Sequence, residues 1–567
     1  MFPVRVLLLA VVVSAISIPR TDSSDNHSPP TVKVRNGTYK GLHSQQYEQD
    51  YFLGIPFAQP PVGDLRFRNP KSLNSTWEGT HDATAFSAAC VGYGSSQQGY
   101  NVSEDCLYLN VVRPSNANKT NGAKLPVAVW IYGGGWSQGS GVDLRYNLSF
   151  IVQESVAMGQ PLLGITLNYR LSAWGFLQSQ EVIDSGNTNV GLRDQRLALH
   201  WIRENIAAFG GDPDQVTIWG QSAGAASVGM HIMAYNGRDD KLFRSAIMQS
   251  GAPIAISDQN RDAFFESAYQ NLTANTNCND HSSPLDCLRS LPYEELNAAI
   301  NTTGLSSIWS PQVDGDIVAR TSSIQINEGN FVRVPIIVGA TSDEGTSFSP
   351  KGVEDTEIFK SNILASAPRM NESFAQQVLA TYPDDPSQEI LANLGPTFRP
   401  GAPYGAQYRR AATYYGDALF VANRRRTCEI WAASNLTAYC YRFNAIPAWA
   451  TPMDGATHFV DVAFPMLNLL GVGYPPVRIP PFKGKPQSYT DLAKLMSRDW
   501  IQFINSGDIA NQHRESDFGV SDWPMYRVDS PEEFVFDANV TSFVEKDTYR
   551  SEGMKLINSA ADSVYGR

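Results

Sequence analysis

The chain is poor in positive charge. Across 567 residues, 44 Lys and Arg stand against 56 Asp and Glu, a formal net charge of −12. That balance argues against nucleic acid and anionic membranes as partners, because both repel an acidic surface. Cysteine is scarce as well. There are six, and none falls in a Cys-x-x-Cys pair, which excludes the commonest zinc and dithiol redox motifs. No metal and no cofactor is expected. Beyond Ile16 no segment is long and apolar enough to cross a bilayer. Ser563 to Arg567 carry no lipid-anchor or retention signal. Internal repeats and low-complexity tracts are absent.

What is present starts with a leader. Arg5 supplies a positive charge, Val6 to Ile16 an apolar run, and Ala15-Ile16-Ser17 small residues at −3 and −1. The run is too short to span, and Pro19 and Arg20 close it. Residues 1–17 are therefore expected to be a signal peptide, and 18–567 a secreted, extracellular protein. Two features agree with an oxidising compartment. The cysteines are even in number and fall into close pairs: Cys90 with Cys106, Cys278 with Cys287, Cys428 with Cys440. Six cysteines permit fifteen connectivities, so nearest-neighbour pairing stands as an expectation. Each such bridge would stabilise the fold by roughly 2–3 kcal/mol. Asn-x-Ser/Thr sequons occur at Asn36, Asn74, Asn101, Asn118, Asn147, Asn271, Asn301, Asn371, Asn435 and Asn539, all expected glycosylation sites. An eleventh, Asn26, is the poorest candidate because Pro29 follows it.

Hydrophobic residues make up 42% of the chain, enough for a large core in a single, heavily inserted α/β domain. Pro126 to Ile131 and Leu162 to Leu167 are continuous apolar runs, the signature of strands buried on both faces. From Gly191 to Phe209 the apolar spacing is helical, and Gly210-Gly211-Asp212-Pro213 ends it. Another strand, Val216 to Trp219, follows. This order predicts a mostly parallel sheet with helices on both faces. A later strand is expected at Val334–Gly339. The stretches around 252–333 and 354–450 read as helical insertions forming a cap. Pro475 to Pro486 is a Pro-rich loop.

The strand at Val216 runs into Gly220-Gln221-Ser222-Ala223-Gly224. A strand, Gly-x-Ser-x-Gly and then small residues predict a nucleophile elbow, a strained turn that exposes a serine hydroxyl above a sheet. Acyl transfer also needs a base, an acid to orient it, and donors for the oxyanion. On an elbow fold the chain order is serine, acid, histidine. Four histidines follow Ser222. His231 comes too early, and His281 and His513 sit in polar stretches. His458 lies in a loop beside the apolar sequence Phe459-Val460 and is the favoured base. Asp343 and Glu344 both follow the late strand, and the residues alone leave them at parity. Asp314 and Asp461 are weaker candidates. Gly133-Gly134-Gly135-Trp136 follows a strand, so its backbone N–H groups can approach a substrate oxygen. The Ala223 N–H would complete an oxyanion hole.

These residues resemble a known family, the type-B carboxylesterases and lipases, cholinesterase-like α/β-hydrolases, and in particular their secreted fungal carboxylesterases. The resemblance runs from about Val32 to Tyr526. It includes Phe52-Leu53-Gly54-Ile55-Pro56, Pro60-Pro61-Val62-Gly63, Leu65-Arg66-Phe67 and Ser103-Glu104-Asp105-Cys106-Leu107-Tyr108-Leu109-Asn110. It continues through Asn168-Tyr169-Arg170, Asn189-Val190-Gly191-Leu192, Asp194-Gln195 and Gly210-Gly211-Asp212-Pro213. The resemblance implies an α/β-hydrolase fold and hydrolysis of a small-molecule ester. It implies a triad of Ser222, Glu344 and His458, with Gly134, Gly135 and Ala223 as oxyanion donors. It implies the pairs Cys90–Cys106 and Cys278–Cys287, and leaves Cys428–Cys440 unassigned. Ser250 matches a serine near the triad.

Two departures narrow the substrate. Many members carry Glu before the nucleophile where this chain has Gln221, which removes a charge that a cationic choline ester would favour. The loop between Cys90 and Cys106 is rich in Gly, Ser and Gln from Gly92 to Gly99, with no apolar stripe and no Trp. Lipases of the family carry a longer amphipathic lid there. Both features point to a lidless esterase for soluble esters, with a triglyceride lipase as the alternative. Adhesion proteins that keep this fold lack part of the triad, whereas all three residues are present here.

Overall fold

The computed structural model describes residues 28–117, 123–254, 261–509 and 514–567. The expected signal peptide, Asn26, Asn118 and His513 lie outside the described residues.

An eleven-stranded sheet forms the frame. Its strands are β1 (Leu42–Ser44), β2 (Gln49–Pro56), β3 (Tyr108–Pro114), β4 (Leu125–Ile131), β5 (Leu163–Leu167) and β6 (Gly211–Gln221). They continue with β7 (Ser245–Gln249), β8 (Ile336–Thr341), β9 (Ala438–Phe443), β10 (Glu532–Phe536) and β11 (Phe543–Lys546). The spatial order is β1-β2-β3-β5-β4-β6-β7-β8-β9-β10-β11. Pairing is parallel from β5 through β10 and antiparallel at both margins.

Every residue of β4, β5, β7 and β8 is buried. Successive side chains point to opposite faces of a strand, so both faces of the sheet are covered. Two of the covering helices are Ala223–Gly237, against β6 and β7, and Gln487–Ser506, against β4 and β6. Trp130 and Trp219 stand opposite each other in the register of β4 and β6, with ring centroids 4.9 Å apart in an edge-to-face contact.

The order of the strands matters for function. The chain passes from β4 to β5 on one side and then to β6 on the other. Strand order therefore reverses at β4, and crevices for ligands form above the carboxyl ends of strands at such a point. Register sharpens this: Gly220 pairs with Ile131, Gln221 with Gln249, and Gln249 with Gly339. The loops after β4, β6, β7 and β8 thus leave the sheet side by side.

The helix expected from Gly191 spans Val190–Asn205, continues as a 3₁₀ turn over Ile206–Phe209, and ends at Gly210 with φ 90°. The first insertion carries helices Arg261–Asn275, Pro284–Ser290, Tyr293–Ile300 and Ser322–Asn327. The second expectation needs correction. The stretch 354–450 is helical over Thr356–Ser366, Glu372–Thr381, Tyr408–Gly416 and Ala422–Ala433, but Ala438–Phe443 is β9, a parallel strand of the main sheet. Its alternating aromatic run, Ala-Tyr-Cys-Tyr-Arg-Phe, suits a strand better than a helix.

The cysteines are joined as Cys90–Cys106, Cys278–Cys287 and Cys428–Cys440. The third pair, which the resemblance left unassigned, fastens helix Ala422–Ala433 to β9. Among the sequons, Asn74, Asn101, Asn271, Asn301, Asn371, Asn435 and Asn539 are exposed, and Asn36 and Asn147 are half-buried. The folded protein should therefore show no thiol to a titrant. Six thiols should appear after unfolding and reduction. A reactive thiol in the native protein would contradict the three-pair arrangement.

Candidate active site

Ser222 leaves β6 with φ 56° and ψ −128°, a conformation that costs a side-chain-bearing residue about 1–3 kcal/mol. Neighbouring strands hold it there. Its N–H donates to the Gln249 carbonyl at 2.9 Å, and its own carbonyl accepts from Ala226 at 2.9 Å. The flanking glycines are required by space. A Cβ at Gly224 would lie 2.0 Å from the Ile131 carbonyl oxygen, and one at Gly220 would lie 2.5 Å from the Gly224 backbone.

The Ser222 hydroxyl meets His458 Nε2 at 2.7 Å, and His458 Nδ1 meets Glu344 Oε2 at 2.6 Å. A carboxylate facing Nδ1 fixes the proton there, which leaves Nε2 as the acceptor for the serine O–H. Glu344 is buried, and its second oxygen accepts the Thr341 N–H at 2.8 Å. The turn that carries it, Glu344–Ser347, packs so tightly on helix Tyr408–Gly416 that a Cβ at Gly345 would lie 1.8 Å from the Ala412 carbonyl oxygen.

Asp343, left at parity by the residues alone, has other work. One of its oxygens accepts the Leu391 N–H at 2.6 Å and the other the Ala456 N–H at 2.7 Å. Burial raises its pKa, and these two backbone bonds oppose that rise. Asp343 therefore clamps the loop that carries His458. Thr346 and Ser347 add hydroxyl bonds of 2.6 and 2.7 Å to Thr457 in the same loop.

Gly134 and Gly135 take φ 104° and 63°, and a Cβ at Gly133 would lie 2.8 Å from the Ser222 Cβ. This loop therefore lies directly against the elbow. Among the described residues the Gly134 and Gly135 amides meet no protein acceptor. Ala223 opens its helix, where backbone N–H groups lack intrahelical partners. Gln221 is buried, with its side-chain amide nitrogen 3.3 Å from His458 Nε2. Ser250 is buried with φ 53° and bonded through its N–H to Gly339, while its hydroxyl has no hydrogen-bond partner among the described residues.

Sequence reasoning missed the aromatic contacts of the base. The His458 ring packs against Phe348, at 5.0 Å, and Phe420, at 4.7 Å between centroids, and the two phenyl rings also meet each other at 5.1 Å. Phe420 lies in a π-helical turn, Asp417–Val421, a local widening of the kind often found at functional sites. Phe348 follows Glu344 closely, and that proximity was the available signal. The remaining candidates are engaged elsewhere. His231 is buried beside Gln195, and burial pushes it down to about 3, so it is neutral. His281 is exposed. Asp314 accepts bonds from Thr188, Asn189 and Arg193. Asp461 accepts from Gln249 and Tyr441, and burial pushes it up to about 6. Among the described residues no group of three or more His, Cys, Asp or Glu is placed to hold a metal.

Residues 28–555 match the profile of the Carboxylesterase family. Secreted lipase 1 of Botryotinia fuckeliana is 31% identical, with 92% of this chain and 92% of that protein covered. Lipase 1 of Geotrichum candidum is 32% identical, with 90% and 92% covered. The secreted triacylglycerol lipase LIP1 of Gibberella zeae is 34% identical, with 78% and 79% covered. Among solved structures, Aspergillus niger EstA superposes with a TM-score of 0.79 at 25% identity, covering 95% of this chain and 99% of its own. A PNB esterase superposes at 0.73 and 26% identity, with 93% and 100% covered. The chain belongs to the carboxylesterase family, ester-hydrolysing serine hydrolases built on the α/β-hydrolase fold.

Proposed function

We propose that this protein is a secreted carboxylesterase that hydrolyses neutral, water-soluble esters through an acyl-enzyme on Ser222. The observation that carries the reading is the continuous contact from the strained serine through His458 to buried Glu344, beside the triple-glycine loop. Ser222 Oγ attacks the ester carbonyl carbon as its proton passes to His458 Nε2. Glu344 stabilises the imidazolium. The tetrahedral oxyanion accepts the N–H groups of Gly134, Gly135 and Ala223. His458 then protonates the departing alcohol. Water, deprotonated by the same imidazole, attacks the acyl-enzyme, and the acid leaves with Ser222 restored. Phe348 and Phe420 offer an apolar wall to the substrate. Relatives named as secreted, together with the leader-like residues 1–17 and the sequons, support export and glycosylation.

The preference for soluble esters rests on the Cys90–Cys106 loop. Its one helical element is a 3₁₀ turn, Ser95–Gln97. It is tied to the body at several points: Ser96 N–H to the Gln138 side chain, Gln97 to the Gly139 carbonyl, and Tyr93 to Asn297. A lid must instead present an apolar face when it opens. The second reading, a triacylglycerol lipase, is favoured by the names of several relatives.

Ser222→Ala should lower kcat by on the order of 10⁶-fold, and an organophosphate should label the wild-type protein once, at Ser222. Labelling elsewhere would sink the assignment. Glu344→Gln should lower kcat by about 10⁴-fold, with the melting temperature little changed. Asp343→Asn should do the reverse, costing about 1–3 kcal/mol of stability because one of the two carboxylate oxygens that accept backbone N–H groups becomes an amide donor, with a much smaller loss of rate. The opposite ranking would exchange the roles of the two acids.

Initial rate against the concentration of a short-chain ester should rise smoothly through its solubility limit. A jump at the onset of emulsion would favour the lipase reading. With Gln221 beside the serine, a choline ester should show no advantage over a neutral ester of the same acyl group.

A further inference from the structure

The Pro-rich loop that follows His458 has no part in the chemistry above, yet it carries a distinctive surface. Leu470, Val477 and Ile479 are 68%, 60% and 47% exposed, a concentration of bare aliphatic side chains within one short loop. The backbone at Gly471 abuts Pro480 so closely that a Cβ there would lie 2.5 Å from the proline ring, so the segments that carry Leu470 and Ile479 run side by side. The loop is folded on its own bonds: Gly471 N–H to the Asn468 carbonyl, Tyr474 to Gly471, and Arg478 to Tyr474. The Arg478 guanidinium stacks 4.2 Å over half-buried Trp449 and lies 5.9 Å from the Phe459 ring, the residue next to His458.

Charge adds a second, independent observation. In a chain of net charge −12, the segment 462–490 holds Arg478, Lys483 and Lys485 and no Asp or Glu. No sequon falls between Asn435 and Asn539, so no glycan attached within the segment would screen it. Exposed aliphatic side chains and a few cations in one loop form the composition that settles into a lipid–water boundary bearing negative charge.

We propose that the 469–486 loop docks the enzyme onto the surface of an ester-lipid droplet that carries fatty-acid carboxylates, with the His458 side of the molecule turned toward it. The adsorption stands independently of the ester-hydrolase reading: no lid movement is involved, so docking fixes where the enzyme sits and leaves its rate on soluble esters unchanged.

The test uses full-length Ser222→Ala protein and flotation with phosphatidylcholine-coated triolein droplets, prepared with and without oleic acid. The protein should adsorb, more strongly with oleate, and raised salt should weaken only the oleate-dependent part. A triple change of Leu470, Val477 and Ile479 to Ser should lower partitioning at least about tenfold. Lys483→Gln should reduce the oleate-dependent part alone. In an otherwise wild-type background, the triple variant should hydrolyse a soluble short-chain ester at the wild-type rate, which reports folding and the triad separately from docking. Equal adsorption of triple variant and parent would overturn the proposal. So would loss of a dimer in sedimentation with adsorption unchanged, which would make the patch a contact between copies. Equal adsorption with and without oleate would overturn the anionic assignment.

Discussion

The site depends on how closely two parallel strands approach just past their carboxyl ends. The turn after β6 presses against β4 until there is no room for a single methyl group at Gly224, and the loop after β4 presses back at Gly133. That contact holds Ser222 in a backbone conformation that it would not adopt alone. It also sets the Gly134 and Gly135 loop beside Ser222, since both segments leave neighbouring strands in register. The strain of about 1–3 kcal/mol is small beside the burial of the central strands on both faces. A loop could not hold the same geometry. The rigidity comes from the sheet, and the sheet comes from continuous apolar runs.

Two adjacent buried carboxylates divide the remaining work, and hydrogen-bond arithmetic separates them. Each oxygen of Asp343 accepts a backbone N–H, from residues 48 and 113 positions away in sequence. A carboxylate satisfied in that way has little left with which to orient an imidazole. Glu344 accepts one N–H and directs its other oxygen to His458. The first acid joins the loops that carry the site, and the second faces His458. Their proximity holds the contact between Glu344 and His458 although the histidine's loop has no regular secondary structure of its own.

How much of this was legible in the sequence follows from which interactions are local. The elbow and the strands around it could be read because strain requires glycine and double burial requires unbroken apolar residues. The choice between Asp343 and Glu344 could not be read locally, since it depends on contacts with Leu391 and Ala456, far along the chain. Strand β9 was hidden because it is six residues long and follows directly on a helical stretch. Its disulfide to the preceding helix becomes intelligible only once β9 is recognised as a strand. Phe420 was invisible for a different reason. Helical periodicity identifies a buried face without saying what it is buried against, and a π-helical turn shifts that face locally.

The arrangement also separates two functions that a lid would combine. A lid that opens at an interface couples adsorption to exposure of the site, and the interface must supply the free energy of opening. Here the Cys90–Cys106 loop is pinned to the body, while the exposed aliphatic residues Leu470, Val477 and Ile479 lie in a different loop. Adsorption can then concentrate the enzyme at a surface without changing the state of its site. Orientation follows from charge. A body with a net charge of −12 is repelled by carboxylates at a droplet surface, whereas the acid-free segment 462–490 is not. The repulsion that argues against anionic partners for the molecule as a whole thus becomes the force that turns one particular face toward them.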